Sequence, residues 1–207
     1  MARKHESTQT RQKQIVDAAR RVIIKCGSER VTVKRISQEV GISETAVYRH
    51  FKSKKQILSL LAEQVGDTLV GDIARATGGG RTPLEVLDSA LQSHLSAIEQ
   101  RRGVSFQVIA EIVSLGDRKL NRKMSRSIDD YTGRIADLLK GAVKSGEVRE
   151  DIDAATAATV LFGMIQGLVT IWALSNYGFD LRQRYVSVWQ VFRAAVARKG
   201  PELSSAN

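Results

Sequence analysis

The chain is poor in the residues on which much small-protein chemistry depends. It has one cysteine, Cys26, in 207 residues, so neither a disulfide framework nor a cysteine-rich zinc site can be built. Two prolines and 16 glycines are too few for a collagen-like or low-complexity chain. Three histidines, His5, His50 and His94, lie far apart. No H-E-x-x-H, G-x-S-x-G or G-x-x-x-x-G-K-[ST] pattern occurs, so nothing marks a hydrolase or a phosphate loop. Asp129-Asp130 and Glu150-Asp151-Asp153 read as solvated faces and a helix start rather than a metal site. The expectation is a protein that is not an enzyme and carries no cofactor or metal. The polar start Met1-Ala2-Arg3-Lys4 has no charged-apolar-small signal, which makes a cytoplasmic setting the default.

Period-2 alternation is also missing, and helical spacing takes its place throughout. Thr8 is placed as the cap of a first helix to about Lys25, with a stripe of Ile15, Ala18, Ala19, Val22 and Ile23. Thr32 caps a short second helix ending at Gly41, Ser43 a third, and Ser53 with Gln56 a fourth. Gly78-Gly79-Gly80 reads as a linker, and Thr82-Pro83-Leu84-Glu85 as a strong helix start. Further stripes follow: Leu84 to Ile98; Val104 to Leu115; and Leu120, Met124, Ile128, Tyr131, Ile135, Leu138 and Val143. Helices from about 154 to 174 and from Leu181 to Ala197 complete the chain, and residues 201–207 are expected to be a disordered tail. Residues 154–179 carry no charge, but interspersed Thr, Gln, Ser and Asn, and the lack of a basic flank, argue for a buried helix over a membrane span.

What is present in excess is positive charge, and it is unevenly placed. Residues 1–62 hold 14 of the 32 Lys and Arg but 5 of the 22 Asp and Glu. Nearly all of the net +10 therefore sits in less than a third of the chain. Such a head suggests a polyanionic partner, nucleic acid or an anionic membrane surface.

The segment 32–55 decides between them. Two short helices meet at Val40-Gly41-Ile42-Ser43, where glycine supplies a left-handed backbone, Ile42 can plug the angle and Ser43 caps the next helix. In a helix-turn-helix the second helix, here about Glu44 to His50, is offered to the major groove. Thr32, Ser43 and Ser53 stand at helix N-termini, which suit phosphate. Thr45, Ala46 and Arg49 are the expected base readers: arginine can bond guanine twice, and an alanine methyl can touch that of thymine. Tyr48, His50 and Lys54 are placed for backbone contacts. Glu44 can accept from cytosine or simply favour the helix N-terminus. Val47 and Phe51 face inward.

The run Val31-Thr32-Val33, Ile36, Val40-Gly41-Ile42-Ser43 and Val47-Tyr48-Arg49-His50-Phe51-Lys52-Ser53-Lys54-Lys55 resembles the DNA-binding domain of TetR-family transcriptional regulators. The resemblance covers about residues 8–65. It implies an all-α fold: an N-terminal three-helix domain, residues 1–62, and a helical effector-binding and dimerisation domain, residues 63–200. It implies a homodimer on double-stranded DNA, usually a repressor released by a small molecule. The family's phosphate-contacting tyrosine, histidine and lysine fall on Tyr48, His50 and Lys54.

For the remainder only nominations are possible. Phe106, Met124, Ile128, Tyr131, Phe162 and Trp172 are apolar or aromatic candidates for an effector pocket, suggesting a lipophilic ligand such as an acyl chain. Leu161, Ile165 and Leu168, with Tyr185, Val188, Trp189 and Phe192, form stripes on the last two helices that suit pairing of subunits. Gly163 and Gly167 would allow another helix close. An architectural DNA binder without an effector, a DNA-modifying enzyme and a membrane-surface protein are the competing readings.

Overall fold

A computed structural model describes residues 7–76 and 81–198. Gly78-Gly79-Gly80, the tail 201–207 and His5 lie outside the described residues. The described residues form nine α-helices, with one isolated bridge between Val148 and Ala197. They are α1 (Thr8–Cys26), α2 (Val33–Val40), α3 (Glu44–His50), α4 (Lys54–Ala76), α5 (Pro83–Gln100), α6 (Val104–Leu115), α7 (Arg118–Lys144), α8 (Ala154–Leu174) and α9 (Leu181–Val196). A single 3-10 turn, Ser28–Arg30, follows α1.

Helix boundaries follow capping chemistry. Ser7, not Thr8, caps α1: its hydroxyl accepts from Thr10 N–H, so Thr8 is already the first helical residue. Thr32 accepts from Arg35 N–H and Ser43 from Ala46 N–H, as the spacing predicts. At α4, Gln56 reaches back to Lys52 N–H at 2.7 Å, one residue before the expected Ser53. Thr82 and Glu85 close a reciprocal capping box at the start of α5. Asp153 and Asp180 cap α8 and α9.

The chain forms two compact units, Met1–Thr68 with Gln100–Ile128 and Leu69–Glu99 with Asp129–Asn207. In the first, α1 packs against α2, α3 and α6. Ile15, Ile23, Ile36, Val47, Ile57 and Leu58 are fully buried. In the second, Leu87, Leu91 and Leu95 of α5, Ile135 and Leu139 of α7, Leu161 of α8 and Tyr185 of α9 form the core. The stripe on α7 departs from expectation near its end. Leu139 and Ala142 are buried, whereas Leu138 and Val143 are half-exposed.

By length and composition α8 is apolar enough to cross a bilayer. Eight of its residues, among them Leu161, Ile165, Leu168 and Trp172, are instead buried within the second unit.

Candidate nucleic-acid interface

The turn between α2 and α3 is built by Gly41, at φ 77° and ψ 35°. Its N–H bonds to Gln38 O and Ser37 O, and the following Ile42 N–H bonds to Ser37 O at 3.0 Å. This is the paired closure of a helix C-terminus that a left-handed residue permits. Among the described residues no atom lies within 4 Å of where a Cβ on Gly41 would sit. The glycine is therefore required by its dihedral angles and not by crowding. Ile42 is half-buried, consistent with a partial plug. Glu39 fixes α2 to α1 through Arg21 Nε and Lys25 Nζ, each at 2.8 Å. Those two hydrogen bonds, Lys25 first, hold the Glu39 carboxyl below its usual range.

Helix α3 rests on Val47, which is fully buried, and ends at Phe51, also buried. Thr45, Tyr48 and Arg49 point outward; Tyr48 is 52% exposed. Ala46 is half-buried, while Thr32, Ser43 and Glu44 are exposed. His50 is half-buried, and its Nδ1 is buried with no hydrogen-bond partner among the described residues. The α3 surface thus brings together Ser43, Glu44, Thr45, Tyr48 and Arg49 as one polar face on an apolar footing.

Lys54 departs from the simple expectation of a free phosphate ligand. Its Nζ lies 2.6 Å from Glu111 Oε1, and Glu111 is only 8% exposed. The ammonium is already engaged by a carboxylate on α6, in the same unit. Lys55 likewise pairs with Asp117 at 2.8 Å. Sequence reasoning missed Glu111, although its signal was legible: it is the single charge in the apolar α6 segment VSFQVIAEIVSL. A buried carboxylate requires a partner.

Two of the nominated pocket residues meet within the second unit. Tyr131 and Phe162 meet edge to face, 6.0 Å between centroids, and His94 lies 5.9 Å from Tyr131. Trp172 instead pairs with Tyr177, and its Nε1–H donates to Phe179 O at 2.9 Å. Phe106, Met124 and Ile128 belong to the first unit, not the second. The residues expected to pair subunits are these. Leu161, Ile165, Leu168, Tyr185, Trp189 and Phe192 are buried in their own unit, and Val188 is half-exposed. Tyr185 donates to Asp88 Oδ1 at 2.8 Å, and burial, then that carboxylate, push its hydroxyl pKa far upward.

The face left uncovered on α8 is a different one. Val160, Ile171 and Leu174 are 51%, 61% and 79% exposed, and Gly163 and Gly167 between them have no described residue within 4 Å of a Cβ position. On α9, Val186 and Val191 are exposed as well.

Comparison with known proteins agrees with this geometry. Residues 15–61 match the family described as bacterial regulatory proteins, tetR family. Residues 61–195 match the YsiA-like protein, C-terminal region. The fatty acid metabolism regulator protein of Bacillus subtilis is 26% identical over 90% of this chain and 95% of its own. The nucleoid occlusion factor SlmA of Glaesserella parasuis is 28% identical over 81% of this chain and 82% of its own. The crystal structure of the transcriptional regulator FadR from Bacillus subtilis in complex with stearoyl-CoA superposes with a TM-score of 0.77. It is 25% identical, over 89% of this chain and 98% of that one. The turn at Gly41, the outward face of α3 and the two adjoining family matches lead to one conclusion: the chain belongs to the tetR family of bacterial regulatory proteins.

Proposed function

We propose that this protein is a homodimeric, cytoplasmic transcriptional repressor, released from its operator by a lipophilic small molecule. The observation that carries the DNA reading is α3 itself: Thr45, Tyr48 and Arg49 stand exposed on a helix seated by buried Val47 and capped by Ser43. Residues 1–62 supply the DNA-binding head, in which Arg49 reads a base while Tyr48, His50 and Ser43 hold phosphates. Residues 63–200 supply pairing and effector binding. The pairing surface is the uncovered face of Val160, Gly163, Gly167, Ile171 and Leu174. Contiguous exposed apolar surface marks an interaction site, and two glycines let helix axes approach closely. Two heads related by a two-fold meet half-sites about 34–36 Å apart, or a multiple of that.

The effector class is a fatty acyl thioester. Its support is the Bacillus relative named for fatty acid metabolism and the related structure that holds stearoyl-CoA. The aromatic cluster of His94, Tyr131 and Phe162 is the candidate lining. Release requires only that the ligand prefer one conformation, commonly by about 1–3 kcal/mol of coupling. The nucleoid occlusion relatives favour a second reading, a DNA binder with no effector.

Selection of bound fragments from random DNA, followed by titration with stearoyl-CoA, stearate and free coenzyme A, separates these readings. The expected result is a two-fold symmetric site from which stearoyl-CoA displaces the protein. Fragments without shared sequence would remove the operator reading. A symmetric site that no acyl compound disturbs would retain the operator and discard the effector.

A further inference from the structure

Helices α4 and α7 run side by side in the first unit, and their contacts fix the register. Lys55 pairs with Asp117, Ser59 with Lys123, and Gly66 lies against Ser127. Partners are offset by a nearly constant step, so the two helices run in the same direction. Lys123 also pairs with Glu63. Between them lies an open cleft of about 690 Å³, lined among others by Lys55, Lys119, Arg122, Lys123 and Arg126.

The charge there is unusual in two respects. Positions 119, 122, 123 and 126 follow helical spacing and are all basic, so they form one face of α7. Lys119, Arg122 and Arg126 are exposed and make no ion pair with a described residue. In addition, Arg118 and Lys119 occupy the first turn of α7, which has no acid, where the helix dipole disfavours cations. The one acid of the lining, Asp117, is neutralised by Lys55 and caps α7 by accepting from Lys119 and Leu120 N–H. A cationic strip held in place against the dipole is a surface that attracts an anion.

We infer that this strip of Lys119, Arg122 and Arg126 is a second contact surface for the phosphate backbone of duplex DNA, extending the footprint beyond the half-site gripped by α3. Its placement argues for DNA. The register puts Lys119 beside the first turn of α4, the helix that directly follows α3, so the strip begins next to the head. From Lys119 to Arg126 the strip rises about 10 Å, along a polymer carrying a charge every ~1.7 Å of its axis. The inference rests on the DNA-binding reading.

The test compares the full chain with a triple variant, Lys119→Gln, Arg122→Gln and Arg126→Gln. The probes are random-sequence duplexes two helical turns long and the same duplexes extended by one turn at each end. On extended DNA the variant should bind about tenfold more weakly, and its plot of log affinity against log salt should be shallower by about 2–3. On the short duplex the two proteins should bind alike. The charge-keeping variant Lys119→Arg, Arg122→Lys, Arg126→Lys should restore the wild-type slope, which separates loss of charge from loss of fold. Equal slopes on extended DNA would overturn the inference. So would a variant that binds DNA normally yet loses thermal protection by inorganic pyrophosphate, an outcome that assigns the cleft to a small anion. A wild-type protein that binds neither duplex would instead overturn the DNA reading itself.

Discussion

Helices α3 and α8 stand on similar apolar footings but leave opposite surfaces uncovered. Helix α3 buries Val47 and presents Thr45, Tyr48 and Arg49. Helix α8 buries Leu161, Ile165 and Trp172 and presents Val160, Ile171 and Leu174. The buried sides account for folding. The exposed sides separate the two proposed roles, because hydrogen-bonding groups suit base edges whereas bare aliphatic surface suits another surface like itself. A helix's partner is therefore read from what its own unit does not cover.

The largest way to break this comparison is to make the α8 surface resemble that of α3. Ile171→Asp places an unpaired charge in the proposed subunit contact. It should weaken pairing by about 3–5 kcal/mol while leaving helix content unchanged, since Ile171 is 61% exposed. Sedimentation equilibrium reads the outcome; an unaltered dimer would move the contact elsewhere. Leu161→Ala, one residue from Val160 but fully buried, should instead cost about 2–5 kcal/mol of folding stability in a denaturant titration. A smaller change sharpens the α3 side. Arg49→Ala should reduce discrimination between operator and random DNA by roughly 1–3 kcal/mol, measured by competition binding.

The smallest effect is electrostatic and concerns the footing of the cationic strip. The hydrogen bond from Lys55, with those from Leu120 and Lys119, lowers the Asp117 carboxyl from 3.8 to about 2. A depressed folded-state pKa contributes stability above the unfolded value and loses it as pH falls through the folded one. Wild type and Asp117→Asn should therefore differ most above about pH 4 and converge near pH 2. Denaturant midpoints across that range check it, and a constant difference would contradict the ion pair's role.

The head was legible because its signals are local and chemically specific. Thr32, Gly41 and Ser43 each satisfy a backbone requirement that few other residues meet. The rest was less legible for physical reasons that differ. On α7 the expected stripe ends with a step of five residues, from Leu138 to Val143, which leaves a single helix face, whereas steps of four and three from Ile135 lead to the buried Leu139 and Ala142. On α8 and α9 the large apolar side chains drew the pairing assignment, but a subunit's core needs them as much as a dimer does. The proposed pairing surface carries Gly163 and Gly167 instead, where no described residue lies within 4 Å of a Cβ position. Lys54 shows a third limit: its partner Glu111 is distant in sequence, so no local pattern predicts that the amine is engaged.

One consequence of the left-handed Gly41 concerns inheritance. Any other side chain at that φ of 77° is strained, so substitution there should disable the head while leaving the α8 surface intact. Such a polypeptide would still recruit a healthy sister into a mixed pair, leaving one competent reading head where two are needed. In a cell with both alleles, a Gly41 lesion is thus expected to poison the normal product and behave as dominant, whereas a lesion at Ile171 would leave its product solitary and behave as recessive.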